Sequence, residues 1–326
     1  MEPTVVHVGP EQAGERLDRL LAARLAVSRA RVRHLLEVGR VVQAGRPLGL
    51  SDKSRIAAAG DEFRILGSLR ADEERPESRP DLELRIVAEG KGWLVVDKPA
   101  GVGVHPLRPD QRDTVLNAVV ARHPEIIGVG EGGLRSGVVH RLDVDTTGAL
   151  LFAYDEEVWR RLRGAFSEHR VEKRYLALVA GRIDRSRPVE LTLVIARHHP
   201  ARVEVGPSGR RCRMHVTPIR VFADSTLVEV KLETGFLHQI RASMAHFGHP
   251  VLGDRDYGSV DASAEEGSGA PGESDRVAAA ATRAPRPMLH AKRLVVDEVS
   301  ADVALPADFE AVLAEQGPGR PIGPAN

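Results

Sequence analysis

From residue 84 onwards, short runs of Val, Leu and Ile separated by glycine-containing turns dominate the sequence. Runs of this kind are typical of β-strands. We predict strands in LRIVAEG, GWLVVDKP, GALLFAY, KRYLALVAG and STLVEVKLETG. One helical pattern interrupts them, because Val158, Leu162 and Phe166 recur four residues apart in EEVWRRLRGAFSEH, after the candidate N-cap Asp155. Strands and helices do not alternate regularly, so the sequence predicts a mixed α+β fold rather than a doubly wound sheet.

The N-terminal part has a different character, because residues 14–46 contain eight arginines and three acids, a local charge of +5. Over the whole chain, 46 basic residues balance 46 acidic ones. Leucines and valines at helical spacing predict two short amphipathic helices, the second capped by Ser28 and ended by Gly39. A short strand, GDEFRIL, follows. We therefore predict a compact α+β module at residues 13–66.

Composition divides the rest of the chain of 326 residues. The polar, proline-containing stretch 67–83 predicts an exposed linker, and residues 84–310 form the larger domain. Within it, the low-complexity stretch 261–287 predicts a flexible insert, and residues 311–326 predict a loose tail.

Several classes of protein and site are excluded or disfavoured. The single cysteine, Cys212, rules out an internal disulfide framework and a Cys-based zinc site. His238, His246 and His249 match no recognised zinc spacing, and phosphate-loop, dinucleotide and GxSxG motifs are absent, so we expect no metal and no cofactor. Apolar runs are too short to cross a bilayer and no signal peptide is visible, so we expect a cytoplasmic protein without membrane contact.

The segment GVVHRLDVDTTGALLFA contains the first candidate site. We predict that Arg141 and Asp143, two apart at the end of a Val-rich strand, project from the same face. Asp143 is either a functional carboxylate or the cap of the DTTG turn, and spacing leaves both interpretations open. A calcium loop is rejected, because its twelfth position is Tyr154 rather than Glu.

A second candidate site lies in LETGFLHQIRASMAHFGHPVLGDRDYG. We interpret His238 and Gln239 as local hydrogen-bonding groups at a strand–helix junction. Arg241, just beyond them, is either the partner of a buried carboxylate or a surface contact to phosphate.

Together these segments resemble the RluA-type pseudouridine synthases. The resemblance is carried by GVVHRLDVDTTG, KRYLALVAG and TGFLHQIRASMAHFGHPVLGD in that order, with DKPAGVGVH before and RPMLHAKRLVV after them, and covers about residues 84–300. The N-terminal unit is similar to the small RNA-binding module, first described in a ribosomal protein, that many of these enzymes carry.

The resemblance implies a mainly antiparallel sheet and isomerisation of uridine in RNA to pseudouridine without a cofactor. It places the catalytic groups at Asp143, Tyr175 and Arg241. The remaining predicted site residues are five substrate-binding residues and four RNA-binding arginines: Lys98, His140, Arg141, His238 and Gln239, and Arg29, Arg31, Arg33 and Arg40. The expected partner is ribosomal RNA, with tRNA as the lesser option, and no obligate protein partner is expected.

Three positions depart from the family pattern. Phe236 stands where an arginine is usual, Tyr154 where a lysine is common, and Thr147 where a serine is usual. We expect the loss of two cations near the substrate groove to affect RNA affinity or target choice more than chemistry. The alternative function is an RNA-binding or ribosome-assembly factor with weak or dispensable isomerase activity.

Overall fold

The computed structural model describes residues 3–27, 29–66, 75–198, 200–258 and 284–322. Within these ranges the strands are β1 (Thr4–His7), β2 (Val41–Gln43), β3 (Arg46–Pro47), β4 (Glu62–Ile65), β5 (Ile86–Gly90), β6 (Trp93–Lys98), β7 (Thr147–Ala153), β8 (Glu172–Ala180), β9 (Arg187–His198), β10 (Ala201–Val205), β11 (Arg210–Val221), β12 (Ser225–Leu232), β13 (Leu289–Val296), β14 (Val299–Asp302) and β15 (Arg320–Pro321). The helices are α1 (Leu17–Arg24), α2 (Arg29–Glu37), α3 (Val115–Arg122), α4 (Glu156–Ser167), α5 (Gln239–His246) and α6 (Ala307–Glu315).

The N-terminal module has its own four-stranded antiparallel sheet, in the order β1-β4-β2-β3. The leucine and valine faces of α1 and α2 are buried with it in one apolar cluster. Gly39 follows α2 with a φ of +68°, as the predicted helix end requires, whereas Ser28 lies outside the described residues. The module begins earlier than residue 13, because β1 pairs with β4 from Thr4 to His7 and buries Val6.

The larger sheet has eleven described strands, nine of them in the order β10-β9-β11-β12-β8-β13-β7-β6-β5. Strand β14 pairs with β13, and β15 pairs with β11. The pairings among these strands are antiparallel except for the parallel contact of β7 with β13. The predicted α+β class with a mainly antiparallel sheet is confirmed.

All five predicted strands are present as β5, β6, β7, β8 and β12, and α4 is the predicted helix. Asp155 caps α4, because its Oδ1 accepts hydrogen bonds from the amides of Glu157 and Val158 at 3.0 Å. Strands β9 to β11 were not predicted. In β11, for example, more exposed residues alternate with buried Cys212, Met214 and Val216, a period-2 strand pattern that the prediction did not use.

Gly148 determines how the chain enters β7. Its φ is +107°, and a Cβ atom at this position would lie 2.3 Å from the carbonyl oxygen of Ala291 in β13. A side chain is therefore excluded where β7 and β13 first pair, at Thr147–His290 and Gly148–Ala291. This close contact brings the residues just before β7 next to β13.

One apolar cluster joins the middle of the sheet to α5 and α6. It contains Tyr175 of β8 together with Ile240 and Met244 of α5 and Phe309 and Val312 of α6. The two C-terminal helices therefore share a core with the strand that carries Tyr175, which positions the candidate site.

Three further predicted boundaries are wrong. The second half of the predicted linker is bound to α3. The Arg79 amide donates to Asn117 O at 3.0 Å, and Asn117 Nδ2 donates to Glu77 O at 2.8 Å. The predicted tail contains the end of α6 and strand β15. The predicted insert lies outside the described residues up to position 283, but Ala284 and Arg286 are buried, so it ends before residue 284.

Among the described residues, no helix is both long enough and apolar enough to span a bilayer.

Candidate active site

Asp143 lies in the loop that precedes β7, and its side chain is 23% exposed. Residues 139–146 form no strand, although Val138 makes an isolated bridge with Phe152. The prediction that Arg141 and Asp143 share one face of a strand is therefore wrong. Arg241 of α5 donates from Nη1 to Asp143 Oδ2 at 3.4 Å, so residues 98 positions apart in the sequence meet here.

Arg241 is oriented mainly by two other carboxylates. Its Nε and Nη2 donate to Asp254 Oδ2 and Oδ1 at 2.6 and 2.8 Å, and Nη2 also donates to Asp256 Oδ2 at 2.8 Å. Asp254 is fully buried, whereas the Asp256 side chain is 57% exposed. Burial alone would lower the pKa of Arg241, but its hydrogen bonds to Asp254 and the surrounding carboxylate charges raise it. The guanidinium therefore stays charged beside Asp143.

His238 approaches Asp143 from the other side, with Nε2 4.0 Å from Oδ1. Its Nδ1 lies 2.9 Å from the hydroxyl of Tyr257, which accepts a hydrogen bond from the Val203 amide at 2.8 Å. That hydroxyl can therefore donate its own proton to Nδ1, and in the corresponding neutral tautomer Nε2 carries the ring proton, toward Asp143. Burial lowers the pKa of His238, which favours this neutral form.

Tyr175 lies in the central strand β8, where it pairs with Val230 of β12 and Ala291 of β13. The residue is 8% exposed. Burial, and secondly the charge of Asp143, raises the pKa of the Tyr175 phenol above its usual value. The phenol is therefore protonated at neutral pH and presents an uncharged aromatic ring near Asp143.

Lys98 is fully buried and binds the backbone of the Asp143 loop, residues 139–146. Its Nζ donates to the carbonyl oxygens of Pro99, Val144 and Thr146 at 2.7, 2.6 and 3.0 Å. Its three protons are directed at these carbonyls, so its predicted contact with substrate is wrong. Burial lowers the pKa of Lys98 to about 8.

The other predicted substrate-binding residues are dispersed. His140 Nε2 accepts from the Leu151 amide at 3.1 Å and its ring stacks on Phe166 at 4.7 Å, so these contacts hold the ring against the protein. Gln239 is buried and bonds to Thr234 Oγ1 and Arg213 O, which agrees with its interpretation as a local hydrogen-bonding residue but leaves it no exposed surface for substrate. Arg141, two residues before Asp143, is exposed at the surface of the loop.

The predicted RNA-binding arginines divide into two groups. Arg29 Nη2 donates to the fully buried carboxylate of Asp18 at 2.7 Å, and Arg33 lies 4.0 Å from the same oxygen. Arg16 donates to Asp18 as well. These arginines therefore stabilise the module, while their side chains stay partly exposed. Arg31 lies on α2, and Arg40 lies just before β2.

Two of the three family departures are explained by their surroundings. Phe236 packs against the apolar cluster that contains Leu193, Val203 and Tyr257. Tyr154 follows β7 at the end opposite Asp143, roughly 20 Å along the strand, where its hydroxyl donates to Gly90 O at 2.7 Å. The expectation that Tyr154 lies near the substrate groove is therefore wrong.

The sequence prediction did not single out Asp254, Asp256 or Tyr257, although they lie in GDRDYG, within a segment it selected. A buried arginine requires a carboxylate partner, and this requirement could have identified Asp254. The sequence prediction also did not select Lys173. This residue is 9% exposed, lies two residues before Tyr175 on the same strand and donates to Thr234 O at 3.4 Å. Across the described ranges, no cluster of three or more His, Cys, Asp or Glu side chains is arranged to bind a metal ion.

Comparison with known proteins identifies the family of this chain. The family described as RNA pseudouridylate synthase matches residues 92–246. An uncharacterized RNA pseudouridine synthase of Chloroflexus aurantiacus is 37% identical over 267 residues, which cover 79% of each chain. The ribosomal large subunit pseudouridine synthase D of Pseudomonas aeruginosa is 33% identical over 308 residues, covering 92% of this chain and 91% of that protein.

Among solved structures, human RNA Pseudouridylate Synthase Domain Containing 4 has the same fold, with a TM-score of 0.55 and 21% sequence identity over 71% of this chain and 92% of that one. Fold, motif order and the identities to curated relatives agree, and the chain belongs to the RNA pseudouridine synthase family, of the RluA type.

Proposed function

We propose that this protein isomerises uridine to pseudouridine in the RNA of the large ribosomal subunit, with Asp143 as the catalytic carboxylate. The observation that carries the proposal is the 3.4 Å contact of Asp143 with the buried Arg241 in a family member, with Tyr175 near enough for the charge of Asp143 to raise the pKa of its phenol. The choice of RNA is supported by the names of relatives such as the Pseudomonas aeruginosa enzyme. A ribosomal RNA substrate is consistent with the cytoplasmic location that the sequence predicts.

The reaction rearranges one nucleotide without oxidation or reduction. The bond between the sugar and a uracil nitrogen breaks, the base turns, and a ring carbon forms a new bond to the sugar. That carbon loses its proton, and the released nitrogen gains one, so atoms balance. Asp143 acts either by attacking the anomeric carbon of the sugar or by accepting a proton from the ribose. Both roles place the carboxylate at the reacting sugar, and the guanidinium of Arg241 lies 3.4 Å from Asp143 Oδ2.

Arg241 and Tyr175 have supporting roles in this proposal. Because Arg241 is already bonded to Asp254 and Asp256, it supplies positive charge without closing off both oxygens of Asp143. Tyr175 offers a protonated phenol ring on which uracil can stack. Its raised pKa makes it a poor general base, so any proton that it handles is donated rather than accepted.

RNA binding supplies the free energy for reaching the target. A base inside an RNA fold must be turned out of its stack at a cost of a few kcal/mol. The N-terminal module, with a sequence charge of +5 over residues 14–46, is our candidate for the contacts to phosphate that offset this cost. Arg29, Arg31, Arg33 and Arg40 are the residues that we assign to this task.

The test is pseudouridine mapping across total RNA of a strain that lacks the protein. The strain is complemented with wild type, with Asp143→Asn or with Asp145→Asn. Asp145 is the control because its carboxylate is close in sequence and exposed. We expect at least one large-subunit position to be lost, and to return with wild type and Asp145→Asn but not with Asp143→Asn. If no position in any RNA changes on deletion, the alternative of an RNA-binding or assembly factor is the better account.

A further inference from the structure

The three residues after Asp143 are held through their backbone by two buried cations from distant parts of the chain. Lys98 binds the carbonyls of Val144 and Thr146, as described above. The carbonyl between them, Asp145 O, accepts a hydrogen bond from Arg286 Nη1 at 3.1 Å. Each of three successive carbonyls is therefore bound by a cation.

Arg286 precedes β13 and is 7% exposed. Its Nε and Nη2 donate to Asp308 Oδ2 and Oδ1 at 2.7 and 2.9 Å, which is a bidentate pair with the first turn of α6. Because the guanidinium is planar, this pair fixes the direction of the remaining nitrogen, Nη1. That nitrogen donates to Asp145 O and to Pro287 O. The C-terminal helix is thereby connected to the Asp143 loop through one side chain.

The loop needs such support. Residues 139–146 belong to no strand or helix, and the contact of Asp143 with Arg241 is long, at 3.4 Å. The place of the carboxylate is therefore set by the backbone that carries it. A displacement of about 1 Å at a reacting group can lower a rate by about 100-fold.

We propose that Arg286, oriented by Asp308, is a positioning residue that fixes the Asp143 carboxylate through the carbonyl of Asp145. The inference rests on the proposed function, because it adds residues that orient the Asp143 loop without contacting the substrate. Neither Arg286 nor Asp308 touches the RNA in this scheme.

Turnover of an RNA substrate tests the inference in Arg286→Gln, Arg286→Lys and Asp308→Asn. We expect kcat to fall by about 100-fold in Arg286→Gln and less in Asp308→Asn, with KM for RNA unchanged. Arg286→Lys keeps the charge but lacks the planar fork, so it should rescue only part of the loss. The matched control is Arg293→Gln in β13, an arginine that pairs with Asp302 and Glu172 instead of with the loop.

Hydrogen–deuterium exchange of residues 141–149 provides a readout that is independent of activity. Faster exchange there in Asp308→Asn, but not in Arg293→Gln, supports the inference even if Arg286→Gln fails to fold. Unchanged exchange, an unchanged kcat, or a rise in KM alone would overturn it. If the wild type itself shows no turnover, the proposed function fails, and exchange then decides the positioning role by itself.

Discussion

Asp143 and Arg241 meet at 3.4 Å, whereas both oxygens of Asp254 lie within 2.8 Å of the same guanidinium. The arginine therefore makes short, bidentate hydrogen bonds to the buried Asp254 and a single long one to the candidate catalytic carboxylate, Asp143. The Asp143 side chain remains 23% exposed, and Asp254 is responsible for the orientation of Arg241.

Replacing Asp254 with Asn should lower kcat and destabilise the fold together, because it leaves the buried Arg241 without its bidentate partner. We expect a loss of about 3 kcal/mol in the free energy of unfolding. Asp256→Asn is the matched control, since Asp256 is 57% exposed and accepts one hydrogen bond from Arg241. Denaturant unfolding and turnover of both variants check this, and equal effects would contradict the assigned roles.

Activity should decline as the pH rises through about 8, because the Lys98 ammonium loses a proton there and can no longer donate to all three carbonyls. The decline is not due to unfolding. The pKa of Lys98 is 10.5 when unfolded and about 8 when folded, so between these values the unfolded chain binds more protons. The contribution of Lys98 to stability therefore rises with pH in that window.

The pH profile of kcat in Lys98→Met tests this explanation, because its residual activity should lack the alkaline decline. Lys173 is the control, since burial lowers its pKa to about 8 as well. The decline should persist in Lys173→Met, and its disappearance there would assign the effect to Lys173 instead.

Asp18 should stabilise the N-terminal module. Burial would raise its pKa, but hydrogen bonds from Arg16 and Arg29 outweigh this and lower the pKa from 3.8 to about 2. The stabilisation, about 2 kcal/mol, is present above pH 4 and is lost as the pH falls toward 2. Asp18→Asn should accelerate hydrogen exchange in residues 17–37 at pH 7, whereas the exposed Glu37→Gln should not.

Deleting residues 1–66 should weaken RNA binding and flatten its salt dependence. Each phosphate contact that is lost reduces the slope of log K against log salt by about 0.7 to 0.9. Titrations of the full chain and the truncated chain at several salt concentrations measure this. Identical slopes would mean that the arginines of the module form a solvated face rather than an RNA contact.

Local pattern was sufficient for the elements whose burial is continuous along the chain. Strands β6 to β8 and helix α4 follow from apolar runs and helical spacing, and Asp155 caps α4 as predicted. The long strand β9 buries only Val189 and Leu193, which gives a weak local pattern. Strand β11 was missed although its buried and exposed residues alternate, because the prediction relied on continuous apolar runs.

The loop around Asp143 shows why the site was harder to predict. The run GVVH resembles a strand, but only Val138 bridges to another strand, and the backbone beyond it is bound by Lys98 and Arg286. Those residues lie 46 and 141 positions from their loop partners, so no local pattern indicates their contacts. The proximity of Asp143 to Arg241 was expected from family resemblance, whereas the partners of Arg241 required the structure.

The most direct test of the central claim is turnover of purified protein on large-subunit RNA, with Asp143→Asn compared with Asp145→Asn. We predict that Asp143→Asn forms no pseudouridine yet binds RNA nearly as well as wild type, because one carboxylate contributes little to phosphate contacts. Asp145→Asn should retain turnover, since the loop uses the carbonyl of that residue. Pseudouridine formation by Asp143→Asn would contradict the assignment of Asp143 as the catalytic group.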